Sequence, residues 1–457
     1  MPVNIVKSKE ELGEGLGYNI EGLKRIGSTL ILHGWIVDPA VRLRSIALGR
    51  PGSSRSLELL NRIVRFERAD VAAAFNADAS SPLSCGGFAV AFNDISDAEQ
   101  LEQLAIGFVS ANGNAYVETI PITPVSLEGD HLPGLLGILP DMQMDVTRCE
   151  RYYEPLFAAI TSARAEPRLG FDHTYDGSDQ LRQVSQETPA LSIIIPLYGP
   201  TRFERTQIPA LAALRQPDWE IILAVDDPRS LGAVRDNAKR LSALYGITVR
   251  VLASERNLGF SGINNLASQH ARADHLLFLN SDCFISDATP IHKAMAWLRG
   301  DGSGAVGFRL LYPDRSVQHD GMSVGLWSDN KAFVLNDHPR RGLPSNLVQQ
   351  HPMYDRTCML TAACLLIRRE TFQAVGGFDQ IYLRGDFEDS DLCLKLINRG
   401  LRLGIVRTHA LFHLERQTIV DQEGGLRQKI TLVNSFIYSR RWQKLLTGSL
   451  ARLEVIA

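Results

Sequence analysis

The chain has 457 residues, of which 45% are hydrophobic and 22% charged, a composition typical of globular rather than disordered proteins. This length exceeds one ordinary hydrophobic core, so two domains are expected. The 48 Lys and Arg residues against 51 Asp and Glu residues give a formal net charge of -3, which excludes the basic excess typical of nucleic-acid-binding proteins.

The six cysteines are scattered and form no CxxC pair, which argues against a zinc site or disulfide exchange and predicts reduced, buried thiols. The first residues contain no apolar secretion segment, and no stretch approaches the roughly 20 apolar residues needed to cross a bilayer. The sequence therefore predicts a cytoplasmic protein, for which any association with the inner face of the membrane would be peripheral.

Short strands separated by turns are predicted up to about residue 125, in "STLILHGWIVD", "VRLRSIALG", "GGFAVAFND" and "LAIGFVSANGNAYVETIPI". Asn112 and Gly113 lie between alternating apolar runs and predict a hairpin. Residues 1–125 are therefore expected to form a small all-β, sandwich-like domain. Trp35 is expected to be a core residue rather than a sugar platform, because strand tryptophans in sandwiches usually pack inside.

Residues 126–190 have a mixed pattern, with a helix predicted around 150–163 and a polar linker over 172–190. From residue 191 to about 420 the pattern becomes strand, helix, strand. Four continuous apolar runs are typical of buried parallel strands: "LSIIIPLYG", "WEIILAVDD", "ITVRVLA" and "HLLFLNSD". The helix "LGAVRDNAKRLSALYG" between two of them ends on a capping Gly246. Residues 191–420 thus predict a Rossmann-like, mostly parallel α/β sheet, and residues 421–457 a C-terminal helical segment.

Polar or aromatic residues follow each of these four runs. Each one alone fits a turn residue or a helix cap, but four such strand ends in succession favour a shared cleft, because ligands of these sheets bind beyond the carboxyl ends of the strands. The residues concerned are Pro196, Tyr198, Asp226, Asp227, Asn257, Gly259, Asn280, Ser281 and Asp282.

The segment "NLGFSGINN" contains two glycines that would let the backbone approach a ligand. Asn264 and Asn265 are expected to open a helix from which their amide groups face that ligand. The segment is neither a GxGxxG motif nor a GKS or GKT phosphate loop, so it does not support a dinucleotide dehydrogenase or a P-loop NTPase.

The segment "GDFEDSDLCLKLINRG" predicts a helix with Glu388, Asp389 and Asp391 in its first turn and Gly400 at its end. Acidic residues are favoured at a helix N-terminus. Three of them beside Asp386 exceed what capping requires, so a bound cation or an acidic catalytic role would explain the surplus.

Two histidines, His409 and His413, follow in "THALFHLERQT". The preceding "LRLGIV" is strand-like, so an extended loop is expected there rather than a helix. One histidine could complete a metal site, since imidazole is compatible with Mn²⁺; a structural histidine is the alternative.

Residues 191–420 resemble an inverting family 2 glycosyltransferase with the GT-A fold. The resemblance lies in the order and spacing of several segments: "SIIIPLYG", "AVDD", "NLGFSGINN", "LNSD", "SVQHDG", "TAACLLIRRETFQAVGGFD", "FEDSDLCLKL" and "LFHLERQT". The N-terminal "HGWIVDP" resembles a β-sandwich module attached to some bacterial polysaccharide glycosyltransferases.

The resemblance implies a role for each matching residue. Asp389 would be the general base, and Glu388, Asp391 and His319 would orient the base or the acceptor. Asp282 and His413 would bind Mg²⁺ or Mn²⁺ on the diphosphate of a UDP-, dTDP- or GDP-sugar. The remaining donor contacts would be Pro196, Tyr198, Asp226, Asp227, Asn257, Gly259, Asn264 and Ser281.

The family pattern often has two acids in its DxD motif, whereas Asn280 stands at the first position here. The implied reaction is sugar transfer to a glycan or lipid-linked glycan in surface polysaccharide synthesis. The alternative is a non-catalytic glycan-binding or assembly protein with a degenerate GT-A scaffold. His319 and Asp320 are expected where an acceptor-side loop would lie, but both could equally be turn residues. Specificity is expected to depend on a few contacts in loops such as residues 327–352.

Overall fold

The computed structural model describes residues 4–13, 15–53, 55–75, 85–127, 132–139, 145–163, 168–177, 188–199, 203–326, 333–348, 359–414 and 424–447. The chain divides into two compact units. Unit 1 comprises Met1–Ala165 and Gly424–Val433, and unit 2 comprises Glu166–Glu423 and Asn434–Ala457. In the described part of the chain, no helix is both long and apolar enough to span a bilayer.

Unit 1 contains two five-stranded sheets, with the orders β1-β9-β8-β4-β5 and β10-β2-β3-β7-β6. In β8, buried residues alternate with exposed or half-buried ones, so one face of the strand enters the core. The strands are β1 (Asn4–Ile5), β2 (Gly17–Ile26), β3 (Thr29–Val37), β4 (Leu43–Gly49), β5 (Ser56–Glu58), β6 (Val64–Phe66), β7 (Cys85–Phe92), β8 (Gln103–Ser110), β9 (Asn114–Pro121) and β10 (Thr123–Pro124).

Side chains from both sheets form one hydrophobic core, in which Tyr18 of β2 stacks on Phe108 of β8 with ring centroids 3.5 Å apart. The predicted hairpin is confirmed: β8 and β9 pair antiparallel, and Gly113 has a φ of 87°. Trp35 is half-buried and packs on Val37, Val71, Ala72 and Cys85, so it borders a small hydrophobic cluster rather than lying fully inside the core. The sequence prediction missed β2, whose polar residues weaken the strand pattern.

The helices of unit 1 are short. Asp145 accepts a hydrogen bond from the backbone N–H of Arg148 at 2.8 Å and so caps one of them. Lys429, in the unit 1 part of the C-terminal helix, donates to the carbonyls of Leu136 and Leu139. The helices are α1 (Ala69–Ala74), α2 (Leu132–Leu136), α3 (Val146–Arg148) and α4 (Glu154–Ala163), with a π-helical turn over Cys149–Tyr153.

Unit 2 is an α/β unit around an eight-stranded sheet of order β11-β14-β13-β12-β15-β22-β17-β23. Its strands, together with those of a four-stranded sheet and a hairpin, are β11 (Leu169–Tyr175), β12 (Leu191–Leu197), β13 (Trp219–Val225), β14 (Val249–Ser254), β15 (His275–Leu279), β16 (Cys283–Ile285), β17 (Ser303–Phe308), β18 (Leu310–Leu311), β19 (Val317–His319), β20 (Ser323–Leu326), β21 (Val334–Asp337), β22 (Cys364–Arg368), β23 (Arg402–Val406) and β24 (Leu411–His413).

The four predicted apolar strands, β12 to β15, pair in parallel as expected and are almost entirely buried. The rest of the sheet is more mixed than predicted. β22 runs antiparallel to both β15 and β17, and β11 runs antiparallel to β14. The part of the predicted linker over residues 172–175 is therefore strand, because its backbone completes the edge of the sheet.

The helices of unit 2 follow the predicted alternation with strands. α6 ends at Gly246, which has a φ of 61°, as the sequence predicts for a capping glycine. The C-terminal helix contributes its residues from Asn434 onward to unit 2. The helices are α5 (Glu204–Ala213), α6 (Leu231–Tyr245), α7 (Gly259–His270), α8 (Thr289–Leu298), α9 (Arg369–Ala374), α10 (Glu388–Asn398) and α11 (Gly424–Thr447).

The smaller sheet has the order β16-β24-β18-β19, and β20 and β21 form a separate antiparallel hairpin. Cys283 of β16 pairs with His413 of β24. The "LFH" segment is thus extended, as predicted, and follows strand β23. This small sheet places the histidine beside the turn that follows β15.

Candidate functional site

The predicted site residues follow adjacent strands of the large sheet, in the order β13, β12, β15 and β22. The first three of these strands are parallel and end at the same edge, and β22 begins there because it runs in the opposite direction. Neighbouring strands lie roughly 4.8 Å apart, so the ends of β13 and β15 are about 10 Å apart. A single edge of the sheet therefore presents Asp226, Tyr198 and the "NSD" turn.

Asp226 follows β13 and is buried. Its carboxylate accepts hydrogen bonds from the backbone N–H groups of Leu258, at 2.6 Å, and Gly259, at 2.9 Å. Gly259 begins α7, so the carboxylate lies at a helix N-terminus, where negative charge is favoured. Asp226 therefore fixes the glycine-containing segment to the end of its strand.

The other predicted donor residues at this edge differ in exposure. Asp227 accepts hydrogen bonds from the backbone and guanidinium of Arg229, and the guanidinium lowers the pKa of Asp227. Pro196 is half-buried, whereas Tyr198 is 52% exposed and Asn257 is exposed. An exposed aromatic ring at a strand end is available to stack on a planar ligand group.

The expectation that Asn264 and Asn265 open a helix is wrong. α7 begins at Gly259, so both lie in its second turn, where their amides bond inside the protein. Asn264 donates to the carbonyl of Phe260, and Asn265 exchanges two hydrogen bonds with the backbone of Phe378. Asn265 therefore anchors the "GGFD" turn rather than facing a ligand.

Asp282 and His413 form the most compact predicted contact. The Asp282 Oδ1 lies 3.2 Å from the His413 Nε2, and both side chains are less than 10% exposed. The second ring nitrogen of His413 lies 3.3 Å from the Gln318 Oε1, which fixes the orientation of the ring. The structure thus brings together the two residues that the resemblance implies as metal ligands.

The turn that carries Asp282 is fixed by Gln207 of α5. Its Nε2 donates to the carbonyl oxygens of Asn280 and Cys283, each at 2.8 Å. Ser281 is half-buried within this turn. Because both carbonyls bond to one buried amide, the direction of the intervening Asp282 side chain is set by α5.

The chemistry of these residues fits a hard divalent cation. A carboxylate and an imidazole are ligands that Mg²⁺ or Mn²⁺ accepts, and such ions usually complete their shell with water and substrate phosphates. Cys283 also has its sulfur within 4.8 Å of both ligand atoms, but burial raises the pKa of this thiol well above its usual value. We therefore assign only Asp282 and His413 to a candidate metal site.

Asp389 lies in the first turn of α10 and is half-buried. Its carboxylate accepts hydrogen bonds from the backbone N–H of Ser390 at 2.7 Å and of Ala362 at 3.4 Å, and from the side chain of Thr361. Burial, aided by the negative charge of Asp386, raises the pKa of Asp389 to about 6. A carboxylate with this pKa is suited to accept a proton near neutral pH.

Residues 361–363 connect Asp389 to the metal-site turn. Ala362 donates to Asp389, and the carbonyl of the next residue, Ala363, accepts from the backbone N–H of Asn280 at 2.9 Å. Asp282 and Asp389 are thus joined through two consecutive residues at the start of β22. These short contacts bring the candidate base and the candidate metal ligands to the same edge of the sheet.

The two other acids of α10 have different surroundings. Glu388 is buried. Asp391 is fully buried and bonds to three side chains, the hydroxyl of Tyr382, the indole of Trp442 and the guanidinium of Arg441, and its other oxygen lies 3.0 Å from the Lys395 ammonium. These contacts compensate the buried charge of Asp391 and link α10 to α11, so no bound ligand is needed to explain this acid.

His319 and Asp320 lie on the other side of His413, at the end of β19. His319 is fully buried, its Nδ1 lies 3.3 Å from the Nδ1 of His338, and burial lowers its pKa well below the usual value. Asp320 forms buried ion pairs with Arg309 and Arg407, so this acid is a packing residue of the strand end. The loop over residues 327–352, on which specificity is expected to depend, lies partly outside the described residues.

Sequence reasoning missed the residues that orient this site, namely Gln207, Gln318, Thr361 and Asn434. Each is a single polar side chain whose partner is distant in the chain, so no local pattern marks it. Two cavities of about 390 Å³ lie at the opposite, amino edge of the large sheet, next to residues such as Asp218 and Arg272, and include none of the predicted site residues.

Residues 192–376 match the sequence profile of Glycosyl transferase family 2. The chain is 30% identical over 243 residues to the O-antigen biosynthesis protein RfbC of Myxococcus xanthus, covering 52% of this chain and 18% of that protein. It is also 30% identical over 221 residues to the uncharacterized protein y4gI of Sinorhizobium fredii (strain NBRC 101917 / NGR234), covering 47% of this chain and 23% of that protein. The chain thus spans about a fifth of the length of either relative.

Among solved structures, GalNAc-T7 with UDP, GalNAc and Mn²⁺ has a TM-score of 0.35 at 15% identity, over 50% of this chain and 44% of that one. The mannosyltransferase PcManGT from Pyrobaculum calidifontis in complex with GDP-Man and Mn²⁺ has a TM-score of 0.36 at 13% identity, over 59% of this chain and 79% of that one. At these TM-scores and identities, the nucleotides and Mn²⁺ in the two structures are properties of those proteins and are not transferred to this chain. Over residues 192–376 the chain is thus similar to the glycosyltransferases of family 2.

Proposed function

We propose that the chain is a metal-dependent, inverting glycosyltransferase with a GT-A catalytic domain. The observation that carries this proposal is the connection of the Asp282 and His413 pair to Asp389 through residues 361–363. A cation site and a carboxylate of raised pKa then lie at the edge where α/β sheets bind their ligands.

The donor is a nucleotide-sugar linked to UDP, dTDP or GDP, bound at the ends of β12 and β13. Tyr198 is exposed there and can stack on the base, while Asp226 and Asp227 would contact the base or the ribose. Asp226 acts mainly by fixing the segment from Asn257 to Gly259, because its carboxylate is engaged with two backbone N–H groups. Ser281 supports this pocket from the adjacent turn.

Asp282 and His413 would hold Mg²⁺ or Mn²⁺, and the bound ion would supply charge stabilisation for the diphosphate leaving group. Asp282 is the one carboxylate of the "NSD" segment, because Asn280 replaces the first acid of the family motif. With two protein ligands, affinity for the metal depends strongly on the diphosphate. We therefore expect metal binding to be much tighter in the presence of nucleotide than in its absence.

Asp389 is the general base. As the acceptor hydroxyl attacks the anomeric carbon, Asp389 takes its proton, and the bond to the nucleoside diphosphate breaks on the opposite face of the sugar. One displacement inverts the anomeric configuration without a covalent sugar intermediate. Glu388 and His319 would orient the base or the acceptor, whereas Asp391 acts through α10 by fixing it to α11.

The acceptor is a glycan or a lipid-linked glycan in surface polysaccharide synthesis. The O-antigen relative supports this class of acceptor. We place the enzyme in the cytoplasm, where nucleotide-sugars are available, with peripheral membrane contact for a lipid-linked acceptor. The two sheets of unit 1 share one core and so fit a sandwich-like accessory module.

The test is release of nucleoside diphosphate from UDP-glucose, UDP-galactose, UDP-GlcNAc, GDP-mannose and dTDP-rhamnose with Mn²⁺ or Mg²⁺. We expect one donor to be turned over, and turnover to be lost with EDTA and in D282N. D274N is the matched control, because Asp274 precedes the same strand at its opposite end and is 85% exposed. Binding of a nucleotide without any turnover would favour the non-catalytic scaffold, and no binding of any donor would refute the proposal.

A further inference from the structure

The turn before α10 has an unusual backbone. Four consecutive residues have positive φ angles: Arg384 at 58°, Gly385 at 91°, Asp386 at 71° and Phe387 at 78°. Only Gly385 adopts this region without steric cost. Left-handed conformations at three side-chain-bearing residues persist only when surrounding contacts impose them. The turn leads directly into Glu388 and Asp389, so its shape sets the position of both acids.

Asn434 of α11 supplies such a contact. Its Nδ2 lies 2.8 Å from the carbonyl oxygen of Gly385, 3.2 Å from that of Leu383 and 3.3 Å from that of Asp386. The Asn434 side chain is fully buried, which shields these hydrogen bonds from bulk solvent. One amide group thus gathers the carbonyls that the left-handed turn directs to the same side.

α11 also fixes the far end of the same acidic stretch. Trp442 and Arg441 bond to Asp391 at 2.8 and 3.1 Å. Asp389 lies between Asp386, whose carbonyl is held by Asn434, and Asp391. A single helix therefore contacts both sides of the candidate base, through backbone carbonyls before it and through the Asp391 side chain after it.

We propose that Asn434 is a positioning residue, which holds the turn over residues 384–387 in its left-handed conformation and thereby sets the direction and burial of the Asp389 carboxylate. This inference rests on the proposed role of Asp389 as the base. Asn434 lies outside residues 192–376, so the family match does not include it.

Several groups around Asp389 determine its proton affinity. They include Asp386 on the same turn, and on the packed elements the Thr361 hydroxyl and the Tyr438 phenol. Asn434 carries no charge and lies beyond these groups. Its removal therefore affects Asp389 only through the backbone, by admitting water around a carboxylate that burial now keeps partly protonated near pH 6.

The first experiment needs no substrate. Carbodiimide with an amine nucleophile labels protonated carboxyl groups, and peptide mass spectrometry reports labelling of Asp389 as a function of pH. We expect a labelling midpoint near pH 6 in the parent chain, shifted towards about pH 4 in N434A, the value of an ordinary Asp. Hydrogen exchange of the amides over residues 384–390 should become at least about tenfold faster, because opening of the turn exposes them.

N434D is the second variant, since it keeps the size of the side chain and replaces the donor by a carboxylate oxygen. N237A is the matched control. Asn237 is also a buried helical Asn of unit 2, and its Nδ2 donates to the Glu204 Oε1 at 2.7 Å. We expect N237A to lower the melting temperature while leaving Asp389 labelling and exchange over 384–390 unchanged.

The second experiment uses whichever nucleotide-sugar the parent chain turns over. N434A and N434D should lower kcat by about 10- to 100-fold, since small misplacements of a catalytic group have effects of this size, while the donor KM stays within about twofold. An unchanged labelling midpoint and unchanged exchange in both Asn434 variants would overturn the inference. Absence of turnover in the parent chain would instead refute the proposed function, and the labelling result would still decide the role of Asn434.

Discussion

The chemistry assigned to Asp389 follows from its local environment. A half-buried carboxylate beside the negatively charged Asp386 binds its proton more tightly than one in water, although two backbone N–H groups and Thr361 oppose this effect. The pKa of about 6 leaves most of the carboxylate ionised at pH 7 while keeping it a stronger base than an ordinary Asp. The residue is therefore ready to accept a proton under physiological conditions.

D389N should abolish most of this function. We expect kcat to fall by about 10²- to 10⁴-fold, as is typical for loss of a general base, with the donor KM unchanged. In the parent chain, kcat should decrease as the pH falls through about 6, because protonation removes the base. Initial rates between pH 5 and 8 measure both effects. A large rise in donor KM would mean that Asp389 belongs to the donor pocket.

Gln318 should affect metal binding by orienting the imidazole of His413. Its Oε1 lies 3.3 Å from the His413 Nδ1 and can accept a hydrogen bond from an Nδ1–H group. This favours the tautomer in which the Nε2 facing Asp282 carries no proton and can bind a metal ion. Q318A should weaken Mn²⁺ binding by about 10- to 100-fold, the usual effect of losing a partner of a metal-bound histidine. Isothermal titration with Mn²⁺ in the presence of UDP or GDP measures it. The control is Q216A, whose Gln also contacts a histidine, His292, at 2.9 Å but at the amino edge of the sheet.

At the level of elements, the site depends on turns fixed from neighbouring helices. α5 holds the turn after β15 through Gln207, just as α11 holds the turn before α10. The hairpin of β20 and β21 packs against α10 and α11. Asn336 donates to the Ser390 hydroxyl of α10, and Ser435 of α11 bonds to the backbone of Val334. Strand ends alone would not orient these side chains.

Q207A should therefore destabilise the chain as well as the site. Two carbonyl groups, of Asn280 and Cys283, lose their shared buried donor, which should lower the free energy of unfolding by about 1–3 kcal/mol. Urea unfolding followed by tryptophan fluorescence measures this change. Unchanged stability, or unchanged Mn²⁺ affinity in a folded Q207A chain, would show that the hydrogen bonds from Gln207 of α5 are not needed to position Asp282.

For the molecule as a whole, the sequence predicts the parts of the fold that local patterns encode. The runs of Ile, Leu and Val in β12 to β15 indicated buried parallel strands, and Gly246 and Gly113 marked a helix end and a hairpin. The antiparallel direction of β22 was not predictable, because a strand buried on both faces has no periodicity that encodes direction. Asn434 could not be found for a related reason, since its partners lie about 50 residues away in the chain.

The last part of α11 should be essential for unit 2. A chain ending at Val433 lacks Arg441 and Trp442, so that among the described residues the fully buried Asp391 keeps Tyr382 and Lys395 as its partners. Removing one side of a buried ion pair costs about 3–5 kcal/mol. Calorimetry should show a lowered melting temperature relative to a chain ending at Thr447, which keeps both residues. Equal melting temperatures would mean that Asp391 does not need α11.

The left-handed turn over residues 384–387 also contains a potential site of protease cleavage that its conformation protects. Arg384 is exposed and precedes Gly385, so the bond between them is a potential trypsin site. A strained, tightly bonded turn fits poorly into a protease cleft, and its cleavage therefore requires prior local opening. The rate of nicking after Arg384 should consequently report how firmly the acidic helix is held, and bound nucleotide-sugar should slow it if the donor stabilises this end of the site.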